Sequence, residues 1–366
     1  MHAGLPPPVP GEPLHPVPVA AAPFHLPRDP ADVTYGYGRR ENPTWEAFER
    51  ALGDLEGGEA LVFGSGQAAA TAVLMTVLRP GDTLAMAADG YYGVRHLVDG
   101  HLAGFGIAVT RAPTAGPGLA RIARDATLVW LETPSNPGLD VCDVAAIAAE
   151  AHAGGALVAV DNTTPTPLGQ RPLELGADLS MASDTKCLTG HSDLILGHVA
   201  TRDPDLLARL RDWRTTAGAI AGAHDVWLAH RSLATLDVRL ERACANALAV
   251  AEAARRALGP GQVRYPGMPG DPSYELAARQ MRRGGVVLTI DLGDEATAEA
   301  FIASLRIVVH ATSFGGVHSS AERRARWGGD DVSPGLIRLS AGIEDADDLV
   351  ADVLQAIAAS RSPLPG

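Results

Sequence analysis

EALVFGSGQAAATAVLMTVL, residues 59–78, carries the reading that decides the fold. A short apolar run ends at Phe63, the chain turns through Gly64-Ser65-Gly66, and a helical stretch follows that stops before Pro80-Gly81. This is strand, tight turn and helix in one unit. The same alternation continues downstream. Strand-like runs DTLAMA, IAVT, ATLVWLE, ALVAVDN, DLSMAS and LILGHVAT are separated by helical stretches YGVRHLVDGHLAG, LARIARD and DVAAIAAEAHAG. Repeated βα units predict an α/β fold on a mostly parallel sheet.

After Asp203 two long helical segments lead away from that sheet, DLLARLRDWRTTAG and DVWLAHRSLATLDVRLERACANALAVAEAARRAL, the second long enough to link domains. GVVLTIDL, EATAEAFIASL, LIRLS and a terminal helix from Asp345 then predict a smaller α+β domain. Ten of the first thirty residues are proline, which predicts an extended arm. The expected organisation is an arm over 1–40, a large domain over 41–235, and a linking helix with a smaller C-terminal domain over 236–366.

Of 366 residues 46% are hydrophobic, and 30 basic against 43 acidic residues give a net charge of −13. The composition excludes a disordered chain, and the negative field argues against a nucleic-acid partner. No stretch reads as a signal peptide or membrane span. The three cysteines, Cys142, Cys187 and Cys244, form no CxxC pair, so neither disulfides nor a metal site is expected, and a reducing cytoplasm fits.

One count stands out: 29 of the 30 basic residues are arginine, and Lys186 is the sole lysine. Arginine replaces lysine readily as a solvated surface charge. It does not replace it as a neutral amine nucleophile, because its pKa lies above ~12. Beside the plainer reading of one stray surface lysine, Lys186 therefore reads as a candidate for chemistry that arginine cannot do.

Its neighbours point the same way. Ser183-Asp184-Thr185-Lys186 puts two hydroxyls beside an amine able to condense with an aldehyde, as a pyridoxal 5'-phosphate (PLP) site requires. Gly64-Ser65-Gly66-Gln67-Ala68-Ala69 opens a helix, where backbone amides can hold a phosphate. It also fits the dinucleotide pattern GxGxxA, which leaves an NAD-dependent dehydrogenase as a reading from another class. Asp161 ends an apolar strand, where α/β sheets place ligands, and could pair with a cationic ring nitrogen or cap a turn. Glu132-Thr133-Pro134-Ser135-Asn136-Pro137 puts Asn136 on another such rim. His191 and Asp193 read as structural residues of the loop that follows Lys186.

Together these pieces resemble the cystathionine synthase and lyase family of Cys/Met-metabolism PLP enzymes, from about Tyr35 to Leu349. The motifs occur in family order: Tyr37-Gly38-Arg39, Asn42-Pro43-Thr44, the Gly64–Ala69 turn, Asp89-Gly90-Tyr91-Tyr92-Gly93, Glu132–Pro137, Val160-Asp161-Asn162-Thr163, Ser183–Ser192, Ser313-Phe314-Gly315-Gly316 and Leu336-Ile337-Arg338-Leu339-Ser340. The resemblance implies PLP-dependent transferase fold type I, aspartate-aminotransferase-like. It implies that Lys186 holds the cofactor and moves protons, Asp161 pairs with the ring nitrogen, and Tyr91 stacks on the ring and assists deprotonation. Gly66, Gln67, Ser183 and Thr185 would hold the phosphate, joined by Tyr37 and Arg39 of an adjacent subunit. Arg338 would grip the substrate carboxylate, Asn136 would contact the cofactor's ring oxygen or that carboxylate, Ser313 would position Lys186, and Thr312 stands at the position that helps select the substrate.

The family's usual Tyr-Ser-Arg is Tyr-Gly-Arg here, and Thr312 stands where many relatives carry glutamate or a bulkier residue. The expectation is a cytoplasmic homotetramer that acts on a sulfur-containing amino acid. The leading reaction is γ-elimination of L-cystathionine to cysteine, 2-oxobutanoate and ammonia. The alternatives are γ-replacement on an O-acyl-homoserine (cystathionine γ-synthase), cystathionine β-elimination, and a specialised amino-acid lyase.

Overall fold

A computed structural model describes residues 4–29 and 33–361. Seven strands form the larger sheet: β1 (Glu59–Phe63), β2 (Thr83–Ala87), β3 (Ala108–Ala112), β4 (Leu128–Glu132), β5 (Leu157–Asp161), β6 (Leu179–Ala182) and β7 (Gly197–Thr201). Their order is β1-β7-β6-β5-β4-β2-β3. Only β7 runs antiparallel to its neighbours β1 and β6, so the sheet is mostly parallel, as the βα alternation requires.

Helices over this part of the chain are α1 (Pro43–Glu56), α2 (Gly66–Val77), α3 (Tyr92–Gly100), α4 (Gly118–Ala123), α5 (Val144–Gly154), α6 (Thr166–Gly169), α7 (Pro204–Ala217) and α8 (Ala223–Leu233). Their starts follow from the sequence. Asn42 accepts a hydrogen bond from the Thr44 amide, with Pro43 at the first helical position, and Ser65 and Asp143 cap α2 and α5 in the same way. Leu128 and Trp130 of β4 join one apolar layer with Val73 and Leu74, whereas Val129 and Leu131 join another with Ile147 and Ala148. Alternate side chains of one strand thus enter cores on opposite faces, and every β4 residue is buried.

The helical stretch expected over 225–258 is two helices, α8 and then α9 (Leu236–Leu258), with a break at Ala234-Thr235. Beyond it lie α10 (Tyr274–Gln280), α11 (Glu295–Ser304) and α12 (Ala346–Ser360). They accompany β8 (Val263–Arg264), β9 (Val287–Asp291), β10 (Val309–His310), β11 (Ser320–Arg323) and β12 (Leu336–Ser340). The second sheet has the order β10-β11-β12-β9-β8. Three of its strands, β8, β10 and β11, are too short or too polar to show a periodic signal in the sequence. Leu288, Ile290, Ile337 and Leu339 pack there against Ala247 and Val250 of α9, Phe301 of α11 and Val353 of α12. A further cluster joins Val62 of β1, Leu240 of α9, Val287 of β9 and Phe314, and so ties the two sheets together around the region between them.

Candidate active site

A cavity of about 280 Å3 lies where the two sheets meet. The carboxyl ends of β4, β5 and β6 supply Glu132, Asp161 and Ser183, the start of α2 supplies Gly66 and Gln67, and the segment before α3 supplies Tyr91. From the smaller sheet come Thr312, Ser313 and Phe314 after β10, and Arg338 of β12. This is the strand-end position where open α/β sheets bind ligands.

Lys186 sits on the turn after β6, its amide donating to the Ser183 carbonyl at 3.2 Å. Its amine lies 5.6 Å from the centre of the Phe314 ring and, among the described residues, has no salt bridge. Burial and the Arg338 guanidinium lower its pKa against the pull of Asp161. That shift favours the neutral amine, the form that nucleophilic attack on an aldehyde needs.

Asp161 is buried at the end of β5, and its Oδ1 accepts the Thr163 amide at 3.0 Å. Thr163 Oγ1 in turn accepts the Ser183 amide at 2.8 Å, so Asp161 and the Ser183–Lys186 turn are built on one hydrogen-bonded chain. Glu132 stands directly opposite Asp161 in the β4–β5 register and accepts the Tyr91 amide. Burial raises the Glu132 pKa well above the usual carboxyl range, and Asp161 adds to it. Burial also raises Asp161, against the Thr163 hydrogen bonds and Lys186. Two carboxyls this close do not both ionise readily. Asp161 is the one with Lys186 and His198 to favour its charge.

Arg338 is buried across the cavity. Its Nη1 donates to Asn136 Oδ1 at 2.9 Å, and its Nη2 donates to the Ser313 carbonyl at 3.0 Å and to Glu322 Oε1. Ser313 presents that carbonyl from φ 77°, in the left-handed region that a non-glycine residue enters only when its surroundings hold it there. Burial pushes the Tyr91 phenol up to about 12, helped by Tyr92, whose ring packs edge-on at 4.9 Å.

The residues present fit PLP. Ser65 takes the Ala68 amide at 3.0 Å, and the first-turn amides of Gly66 and Gln67 have no intrahelical acceptor, as at any helix start. A Cβ on Gly66 would stand 2.5 Å from Ser183 Cβ and 2.8 Å from its Oγ, so only glycine lets α2 approach the hydroxyl so closely. Such a cradle suits a phosphate, Asp161 suits a protonated ring nitrogen, and Lys186 suits an aldehyde.

Ten of the residues singled out from the sequence line this one cavity: Gly66, Gln67, Tyr91, Asn136, Asp161, Ser183, Lys186, Thr312, Ser313 and Arg338. Three do not. Thr185 turns its hydroxyl to the Leu196 backbone, with both bonds at 3.1 Å. Arg39 donates to the Thr215 carbonyl at 2.7 Å, and Tyr37 is largely exposed. The cavity also draws in Glu132, Thr163, Tyr92 and Arg324, which sequence reasoning did not nominate. Glu132 ends its strand as Asp161 does, a signal that was available; Arg324 is one arginine among 29, with nothing local to mark it.

Fold and site together define a PLP-dependent enzyme of fold type I. The family model described as Cys/Met metabolism PLP-dependent enzyme matches residues 23–358, and the chain belongs to this family. It is 55% identical over 362 residues to a Streptomyces coelicolor protein provisionally named a cystathionine gamma-lyase, covering 98% of this chain and 92% of that one. It is 39% identical to the cystathionine gamma-synthase of Mycobacterium tuberculosis H37Rv, over 88% of this chain and 86% of the other. Among solved structures, CalE6 of Micromonospora echinospora superposes with a TM-score of 0.90 at 39% identity, covering 98% of this chain and 97% of that one, under a title that makes it a cystathionine gamma lyase. A second CalE6 structure is titled a methionine gamma lyase. Among the described residues, no helix is long and apolar enough to cross a membrane, and no group of three or more metal-ligating side chains occurs.

Proposed function

We propose that this protein holds PLP on Lys186 and eliminates the γ-substituent of L-cystathionine, giving cysteine, 2-oxobutanoate and ammonia with uptake of one water. The observation that carries the reading is the sole lysine of the chain, without a salt bridge among the described residues and with a lowered pKa, in a cavity that also holds Asp161 and Arg338.

When bound, PLP supplies an aldehyde that condenses with amines and a ring that withdraws electrons from bonds at the substrate Cα. Asp161 would hold the ring nitrogen protonated through its carboxylate. Gly66, Gln67 and Ser183 would bind the phosphate, with Thr185 bracing the turn through Leu196. Arg338 would hold the substrate carboxylate, with Asn136 and Ser313 fixing the direction of its guanidinium. The neutral Lys186 amine would take the Cα proton and then a Cβ proton, both transfers lying within reach of one flexible side chain. Tyr91, which lines the same cavity, would stack on the ring and stand beside the reacting atoms.

Tyr37 and Arg39 lie away from the cavity of their own chain, which supports their reaching the phosphate of an adjacent subunit, in a cytoplasmic assembly of at least two chains. The two sheets support a division into a large domain over 41–235 and a smaller one over 236–366. The strength of the lyase reading over γ-replacement is the 55% identity to the Streptomyces coelicolor protein.

The test is a visible spectrum of purified protein before and after L-cystathionine, with 2-oxobutanoate and pyruvate quantified in the same sample. A cofactor band that changes with substrate, together with 2-oxobutanoate, is the expected result. Pyruvate would overturn γ- in favour of β-elimination, and product only with O-acyl-homoserine plus cysteine would overturn it in favour of replacement. Lys186→Ala should abolish the lysine-linked band and nearly all turnover. Normal turnover in that variant would refute the assignment.

A further inference from the structure

Arg338 does not stand alone in the cavity wall. The Glu322 carboxylate oxygen that it meets also accepts Arg324 Nη1 at 2.7 Å. Arg324 Nη2 continues to Asp330 Oδ2 at 2.6 Å, and Asp330 Oδ1 meets Arg95 Nη2 at 3.0 Å. Five charges therefore alternate in sign from Arg338 to Arg95, and the Glu322, Arg324 and Asp330 side chains are each at most 5% exposed. Arg95 belongs to α3 on the larger sheet, and the other four belong to the segment over β11 to β12 of the smaller one. Arg95 Nε donates to the Gly90 carbonyl at 2.8 Å, the residue before Tyr91, and its Nη2 also donates to the Gly329 carbonyl at 2.8 Å.

The run has three guanidiniums and two carboxylates, so it carries one net positive charge with Arg338 at its cavity end. A substrate carboxylate on Arg338 would make the alternation three against three. Buried like-charge neighbours are costly unless opposite charges separate them, so removing one link leaves the next charge short of a partner and free to re-pair. Arg324 would then be free to shift on the Glu322 oxygen that it shares with Arg338, and the direction of the Arg338 fork would relax.

We infer that Asp330 and Arg95 are positioning residues: their ion pair clips the β11–β12 segment to the start of α3 and holds Arg338 in its carboxylate-binding geometry opposite Tyr91. This rests on the assignment of Arg338 as the carboxylate grip of a PLP enzyme. The test uses the holoenzyme and two amines that differ by one carboxylate, L-alanine and ethylamine, titrated through the change they cause in the cofactor spectrum.

Asp330→Asn and Arg95→Gln should each weaken L-alanine about tenfold to hundredfold and leave ethylamine unchanged. The double variant should be no weaker than the worse single, since both act through one link. Asp330→Glu, which keeps the charge, should recover most of the loss. Arg95 is 23% exposed and its replacement is the milder perturbation, so Arg95→Gln decides the matter if Asp330→Asn does not fold. Unchanged L-alanine affinity in a variant with wild-type melting temperature overturns the inference. Equal loss for both amines overturns it too, because that is general damage to the cavity. A wild-type chain that takes up no PLP overturns the functional reading itself, a result distinct from either.

Discussion

Replacing Gly66 by alanine tests the cradle directly. The added methyl would stand 2.5 Å from Ser183 Cβ, 2.8 Å from its Oγ and 2.9 Å from its Cα. Carbon atoms in van der Waals contact prefer about 3.5–4.0 Å, so relief needs the α2 start and the end of β6 to part by roughly 1 Å. A rotamer change does not provide it, since Cα and Cβ move only with the backbone. Overpacking of this kind costs about 1–3 kcal/mol, against which alanine in a helix gains about 0.5–1 kcal/mol over glycine. The net expectation is about 0–2.5 kcal/mol of destabilisation, read as a melting temperature lower by up to several degrees. The larger effect falls on the cofactor: a shift of about 1 Å in groups that hold a phosphate weakens PLP binding by up to about a hundredfold.

Gly100→Ala is the matched control, at the end of α3 with no atom within 4 Å of the new Cβ. It should be neutral or stabilising by about 0.5–1 kcal/mol and leave PLP affinity alone. Equilibrium dialysis of PLP and thermal denaturation of both variants make the comparison. Wild-type stability and PLP affinity in Gly66→Ala would refute the reasoning, as would equal damage from Gly100→Ala.

Asp161→Asn keeps the shape and the Thr163 contact but removes the charge; turnover should fall by about a hundredfold or more with PLP still bound, and undiminished turnover would deny Asp161 its place at the ring nitrogen. Arg338→Lys cannot reach Asn136, the Ser313 carbonyl and Glu322 together, so KM should rise by about tenfold to hundredfold with a smaller change in kcat, and an unchanged KM would count against the carboxylate grip. His198 is fully buried between Asp184, at 2.6 Å, and Glu56, at 3.1 Å. Burial opposes its charge, but the two carboxylates outweigh burial and raise its pKa from 6.5 to about 10. The folded chain then holds a proton that the unfolded chain releases above 6.5, so this contribution to stability is complete below that pH and is lost as pH rises through about 10. Urea midpoints across that window should fall in the wild type and stay flatter in His198→Gln; parallel curves would refute the buried imidazolium.

Much of the site was legible because its chemistry is local in sequence. Lys186 announced itself as the only lysine, Gly66 and Gln67 by the strand–turn–helix unit around them, and Asp161 by ending an apolar strand. What was not legible follows from long-range packing. The split between α8 and α9 escaped because apolar periodicity continues across Ala234-Thr235, and β8, β10 and β11 are too short to show a period. Thr185 looked equivalent to Ser183, yet the turn geometry commits its hydroxyl to Leu196.

Glu132 and Asp161 are 29 positions apart and come to stand side by side only because β4 and β5 align in register. Arg324, Asp330 and Arg95 carry no local mark at all, and their alternation with Glu322 and Arg338 exists only where two sheets converge. Residue types and their spacing determined the fold class, the cofactor chemistry and the amine that serves it, because strand, turn and helix signals act over a few residues. Tertiary structure decided which charges share a proton, which hydroxyl remains available and how the carboxylate grip is aimed. Those properties depend on burial and on distances of a few ångströms between groups that the chain order keeps far apart.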